Sequence, residues 1–198
     1  MLQSVLARPA AYRAFGVLIG APRAREIFTR EHLRPKHGQR LLDIGCGTGD
    51  MVPCLSGIDY LGFDASPAYV RAARSLYPGM RFECDRIGAR VAEPQSFDIV
   101  MANGVLHHLD DQEARQLLAL AYASLRLGGR LVTLDGCFVA GQGHVASWML
   151  HCDRGQHVRP EEAYLRLARD VFSDVVAKLR EDLLRIPYTH LVMECVRT

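Results

Sequence analysis

Residues 41–50 read LLDIGCGTGD. An apolar run of Leu41, Leu42 and Ile44 carries one acid, Asp43, and then breaks into glycines at the alternate positions Gly45, Gly47 and Gly49. Four to six apolar residues stopped abruptly by glycine have the pattern of a buried parallel strand running into a tight turn. Glycine lacks a Cβ, so such a turn takes positive φ and lets a ligand approach its peptide groups closely. Asp50 and Met51 open a segment expected to be helical, with its first N–H groups facing the loop. The spacing is G-x-G-x-G, whereas a dinucleotide site reads G-x-G-x-x-G. An oxidoreductase on the same kind of sheet needs that other spacing.

Outward from this stretch, strands and helices alternate. Residues 59–63 form a second strand ending at Asp64, twenty-one positions after Asp43. An acid at that place is positioned to accept hydrogen bonds from ribose hydroxyls, and a carboxylate takes both more strongly than a neutral side chain. Ser66-Pro67 reads as a helix cap with proline in the first turn. Residues 80–84 give a third strand, followed by Asp85, Arg86 and Ile87. Residues 97–102 give a fourth, continued by Asn103, Gly104, Val105, Leu106, His107 and His108. Asp110 and Asp111 start an acid-first helix, favourable to its dipole. Leu127-Gly128-Gly129 is a turn into a fifth strand, residues 131–134, ending at Asp135. Residues 175–180 and 191–196 are expected to close the sheet as an antiparallel edge pair. This alternation is that of a doubly wound α/β domain.

The run Asp43 to Gly49, with the order of motifs from Arg40 to Asp135, resembles the class I S-adenosylmethionine-dependent methyltransferases. The resemblance implies a Rossmann-like, mostly parallel sheet of seven strands with helices on both faces, and S-adenosyl-L-methionine as cofactor. It places Asp43, Gly45, Cys46, Gly47 and Gly49 around the methionine end, and Asp64 with Ala65 at the ribose. Asp85, Arg86 and Ile87 fall where such enzymes receive the adenine, the alternative for Asp85 being a solvated helix cap. Asn103, Gly104 and His108 belong to the loop that borders cofactor and substrate. That loop lacks the Asn/Asp-Pro-Pro-aromatic signature of enzymes that methylate exocyclic amines, which argues against such nucleic-acid substrates. Leu127 stands where the family's glycine turn commonly has proline.

Methyl transfer from a sulfonium needs alignment and exclusion of water, and a base only if the acceptor starts protonated. His107 and His108 are the candidate base, since imidazole titrates near neutrality. The alternative for a histidine pair here is packing, capping, or a backbone contact to adenine. From residue 136 to residue 159 the periodicity dissolves, and a long connection at the carboxyl end of a parallel sheet is where substrate contacts gather. His144, Trp148, His151 and Arg154 are the candidate substrate contacts. Arg154 and Arg159 suit an anionic group, if they are not simply surface arginines. His144, His151, Cys152, Asp153 and His157 match no compact metal motif, so no metal is expected.

The 198 residues, 49% hydrophobic and 23% charged, suit one domain with a full-sized core. We read residues 1–38 as a helical cap, over the sheet edge or over the substrate, and residues 39–198 as the cofactor-binding domain. A net charge of +2 without a basic run predicts no nucleic-acid partner. Six scattered cysteines without a C-x-x-C pair predict reduced thiols. No signal peptide or membrane span is read, which makes the cytoplasm the default. The sequence thus predicts methyl transfer to oxygen, nitrogen or carbon of a small molecule. The alternative is a cofactor-binding regulatory or partner subunit without transfer activity of its own.

Overall fold

The computed structural model describes residues 16–85, 94–152 and 155–198. Five strands run parallel: β1 (Arg40–Ile44), β2 (Asp59–Asp64), β3 (Arg81–Cys84), β4 (Phe97–Asn103) and β5 (Leu125–Phe138). A two-residue strand, β6 (Arg159–Pro160), pairs with the end of β5. The sheet is completed by β7 (Asp174–Arg180) and β8 (His190–Val196), in the order β3-β2-β1-β4-β5-β8-β7. The strand order reverses between β1 and β4, and the crevice at such a switch point is where open α/β sheets bind ligands.

Helix α1 (Ala21–Phe28) runs into a π-helical turn, Thr29–Leu33. It is followed by α2 (Pro67–Leu76), α3 (Asp111–Ser124), α4 (His144–His151) and α5 (Glu161–Arg169). The parallel strands are buried on both faces, so neighbouring residues serve opposite layers. Leu41, Ile99, Met101 and Val132 pack with Ile27 and Phe28 of α1 and Val70 and Ala73 of α2. Leu42, Val100, Ala102 and Leu131 pack with Leu117 and Leu118 of α3 and Leu167 and Ala168 of α5. Residues 24–33 therefore lie on a sheet face, in the same core as β1.

Local chemistry sets the helix ends. The Ser66 hydroxyl accepts the Tyr69 N–H, with Pro67 in the first turn of α2. In α3, Asp110 accepts the Glu113 N–H while the Glu113 side chain takes the Asp110 N–H, a reciprocal capping box.

The structure corrects the sequence reading at three points. The segment after the glycine loop is only a 3-10 turn, Val52–Cys54. Gly57, at φ 72°, turns the chain back within a few residues, and His37 fills the space a Cβ there would need. Secondly, β7 and β8 form the expected antiparallel pair at one edge, with β8 inside and β7 outermost, but β6 adds a strand to the seven expected. The described residues form eight strands, counting β6. Thirdly, β5 starts earlier and runs on past Asp135. Its pairing with β4 jumps from Phe97–Leu125 to Ile99–Arg130, and residues 126–129 bulge out to meet Arg197. A Cβ at Gly129 would come within 2.9–3.1 Å of three backbone carbonyls, so glycine is needed there.

Candidate functional site

The glycine loop is built by its neighbours. Gly45, Gly47 and Gly49 have φ of 75°, 56° and 75°. A Cβ on Gly45 would stand 2.5 Å from Val105, so this glycine lets the loop after β4 close onto the loop after β1. The Cβ position of Gly47 meets nothing within 4 Å; that face of the loop is open. The N–H groups of Gly45 and Cys46 both donate to Phe63 O at 2.8 Å.

Asp64, at the end of β2, ties this region together. Its carboxylate accepts the Gly47 N–H at 2.9 Å and the Ser66 N–H at 2.8 Å, and its carbonyl accepts the Asp85 N–H at 3.2 Å. The ends of β1, β2 and β3 thus converge on one partly exposed acid. Asp43 lies below, 2% exposed, and accepts the Tyr60 hydroxyl at 2.8 Å. Burial, with a contribution from the Asp64 charge, raises its carboxyl to about 7, although the Tyr60 bond pulls the other way. The Cys46 thiol is pushed far above its ordinary range by burial and by Asp43, which leaves it unreactive. Arg25 of α1 reaches Asp50 at 3.2 Å and links that helix to the loop. Asn103 directs its amide at Met51 Sδ, 3.4 Å away.

Beyond β4, Gly104 (φ 72°) starts a sharp bend, and its N–H donates to Leu134 O at 2.7 Å. The 3-10 turn Leu106–His108 follows, with His107 buried and His108 exposed, their rings 4.3 Å apart. His107 Nδ1 lies 2.9 Å from Asp135 Oδ1, which also accepts the His107 backbone N–H at 3.2 Å. Gly155 sits directly on the imidazole: a Cβ there would be 2.0 Å from His107 Cδ2. The His157 N–H donates to His107 O at 2.9 Å.

Arg159 is buried, and its guanidinium is committed to partners within the chain. Its guanidinium donates to Leu106 O, Leu109 O, His157 O and the Asp111 carboxylate at 2.7–3.0 Å, and lies over the Tyr164 ring. This corrects its reading as an anion clamp: the side chain pins the histidine turn to α3 and to the connection after β5. Three carbonyls waiting around one position signal a buried arginine, but no sequence spacing announces them.

The sequence-derived residues fall into three groups. Asp43, Gly45, Cys46, Gly47, Gly49, Asp64, Ala65 and Asp85 gather at the ends of β1 to β3. Asn103, Gly104, His107 and His108 stand next to them after β4. His144, Trp148 and His151 share the exposed side of α4, with Trp148 63% exposed, while Leu150 packs inward toward Gly136. Arg86, Ile87 and Arg154 lie outside the described residues. No three His, Cys, Asp or Glu side chains come together as metal ligands among the described residues. All six cysteines are unpaired thiols, and no described helix is long and apolar enough to cross a membrane. Asp135 was legible only as the acid ending a strand; its pairing with His107, 28 positions away, requires the fold.

The residues present fit an adenosyl sulfonium cofactor. The open face of Gly47 is the place a Cβ would fill, and the Asp64 carboxylate stands beside it with lone pairs beyond those that hold the loop.

Comparison with known proteins agrees. Residues 41–129 match the family described as Methyltransferase domain. The chain is similar to trans-aconitate 2-methyltransferase of Variovorax paradoxus, 32% identical over 127 residues, covering 62% of this chain and 47% of that protein. It is also similar to phosphoethanolamine N-methyltransferase 1 of Zea mays, 25% identical over 171 residues, covering 82% and 33%. The chain spans half or less of the length of these two relatives. Among solved structures, it superposes on a chain from the Haloferax volcanii complex of the Trm112 methyltransferase activator with a methyltransferase. The TM-score is 0.77 at 17% identity, over 100% of this chain and 98% of that one. A TehB-like methyltransferase of Corynebacterium glutamicum gives a TM-score of 0.65 at 22% identity, over 97% and 99%. Glycine loop, strand order and the match of residues 41–129 to the methyltransferase domain together support a class I S-adenosylmethionine-dependent methyltransferase.

Proposed function

We propose that this chain transfers a methyl group from S-adenosylmethionine to an oxygen, nitrogen or carbon atom of a small-molecule acceptor. The observation that carries the reading is the convergence of Gly47, Asp64 and Asp85 at the switch point of the sheet. In this reading the loop peptides and Asp43 face the methionine end, Asp64 and Ala65 hold the ribose, and Asp85 takes the adenine amine. Asn103, Gly104 and His108 border the cofactor from β4. The cofactor supplies an already activated methyl group, so the chain's task is alignment and dryness. Arg159 and Gly155 serve the second by packing the turn that carries His107. His107 or His108 takes the acceptor's proton where there is one. His144, Trp148 and His151, with Arg154, supply the acceptor side, and residues 1–38 cap the domain.

The small-molecule class is supported by relatives named for trans-aconitate and phosphoethanolamine. The test is calorimetry with S-adenosylhomocysteine, followed by a metabolite screen read as S-adenosylhomocysteine release. Absence of binding refutes the cofactor reading. Binding without release across organic acids, phosphorylated amines and phenols refutes the acceptor class, in favour of a macromolecular acceptor or a partner subunit. The full-length superposition on a chain from the Trm112 complex favours repeating the screen with an activator subunit added.

A further inference from the structure

We infer that Asp135 is a positioning residue: it holds His107 as the Nδ1–H tautomer and stabilises its imidazolium, so that the ring accepts a proton at Nε2. This deepens the proposed methyl transfer, on which it rests for its chemical use.

Asp135 Oδ1 lies 2.9 Å from His107 Nδ1 and also accepts that residue's backbone N–H. A carboxylate oxygen already taking one N–H has only acceptor capacity to offer, so Nδ1 must carry the proton and Nε2 the lone pair. Asp135 is 2% exposed, and its second oxygen is buried without a hydrogen-bond partner. A buried carboxylate is costly unless a cation balances it. Among the described residues, His107 is the one basic group in ion-pair range of it.

The other groups packed around the pair do not supply that charge. Arg159 is spent on carbonyls and Asp111. Tyr164 donates its hydroxyl to Gly136 O, and burial together with the Asp135 charge keeps it protonated. Burial, then Glu161 and Asp135, push the Cys137 thiol up to about 12. His108 stacks on the solvent side, His157 touches the turn through its N–H, and His190 lies opposite Gly136 on β8.

When an acceptor X–H is methylated, the X lone pair forms the new C–X bond as the C–S bond breaks and its electrons stay on sulfur. The X–H proton passes to Nε2, and the positive charge lost at sulfur reappears on the imidazolium beside Asp135. The same carboxylate arrangement orients a histidine base in the hydrolase triad.

The test is long-range ¹H–¹⁵N spectroscopy of the imidazoles in the ligand-free protein, with His107→Gln for assignment. In the wild type at pH 8, His107 is expected to show a protonated Nδ1 and an unprotonated Nε2. An Nε2–H tautomer overturns the proposal with no variant required. In Asp135→Asn, the titration midpoint of His107 is expected to fall by about one pH unit or more. An unchanged midpoint in a folded variant overturns the charge role. S-adenosylhomocysteine calorimetry on the same samples separates the two readings: loss of binding in the wild type defeats the methyltransferase proposal and leaves the tautomer result standing.

Discussion

Replacing Asp43 with asparagine should change how stability depends on pH, by an amount the structure sets. Asp43 is 2% exposed beneath the glycine loop, and burial raises its carboxyl from the 3.8 of a solvated aspartate to about 7. Between those values the folded chain binds a proton that the unfolded chain has released, so stability falls as pH rises. The stabilisation is fully present below pH 3.8 and is gone above about pH 7. At about 1.4 kcal/mol per pH unit the total is about 4 kcal/mol, more than half of it lost between pH 5 and 8. That is a large part of the stability of an ordinary domain. Asparagine keeps an oxygen for the Tyr60 hydroxyl but does not titrate. Urea unfolding of both proteins from pH 5 to 8, without cofactor, should show Asp43→Asn gaining on the wild type as pH rises. Other groups titrate in both proteins and cancel in the difference. Parallel curves would show that Asp43 is not a desolvated carboxylate. Tyr60→Phe, which removes the bond that restrains the rise, should extend the fall to higher pH.

Three other outcomes are expected. Asp64→Ala should weaken S-adenosylhomocysteine binding by about 1–3 kcal/mol, through lost charge-assisted bonds and a loosened loop; unchanged affinity in calorimetry would remove the ribose assignment. His32 sits between Glu194 at Nδ1 (3.3 Å) and an Arg180 N–H donated to Nε2 (2.9 Å), and burial followed by the Arg180 charge lowers its pKa despite Glu194. Its neutral form therefore stabilises the fold above pH 6.5, and that contribution is lost as pH falls through its lowered value; His32→Gln should flatten this part of the curve, and identical acid slopes would count against it. Arg159→Ala should cost about 3 kcal/mol or more in denaturant unfolding, because three buried carbonyls lose their donor, and Arg159→Lys should recover only part; a loss within 0.5 kcal/mol, about that of a surface change, would contradict its place in the turn.

The features legible in the sequence were those written locally. The apolar run into alternate glycines, the Ser66-Pro67 cap and the acids carried by β1, β2 and β5 all rest on neighbours a few positions away, where periodicity and turn chemistry act. What was missed depends on distant partners. The bulge at residues 126–129 exists because Arg197, just past the end of β8, meets it, and Arg159 is buried because Leu106, Leu109 and His157 need a donor. The helix expected after the glycine loop stops short because Gly57 folds back against His37. In each case the residue type was ordinary, and the meaning came from tertiary contact.

The place of β8 bears on how the chain is made. Its pairing with β5 runs from Arg130–Val196 to Gly136–His190, so one whole side of β5 waits for the last strand. At about 5–20 residues per second, a ribosome needs roughly 3–10 s to pass from the end of β5 to the start of β8. For that time the nascent sheet presents an unpaired apolar border, the kind of edge that recruits foreign strands or chaperones.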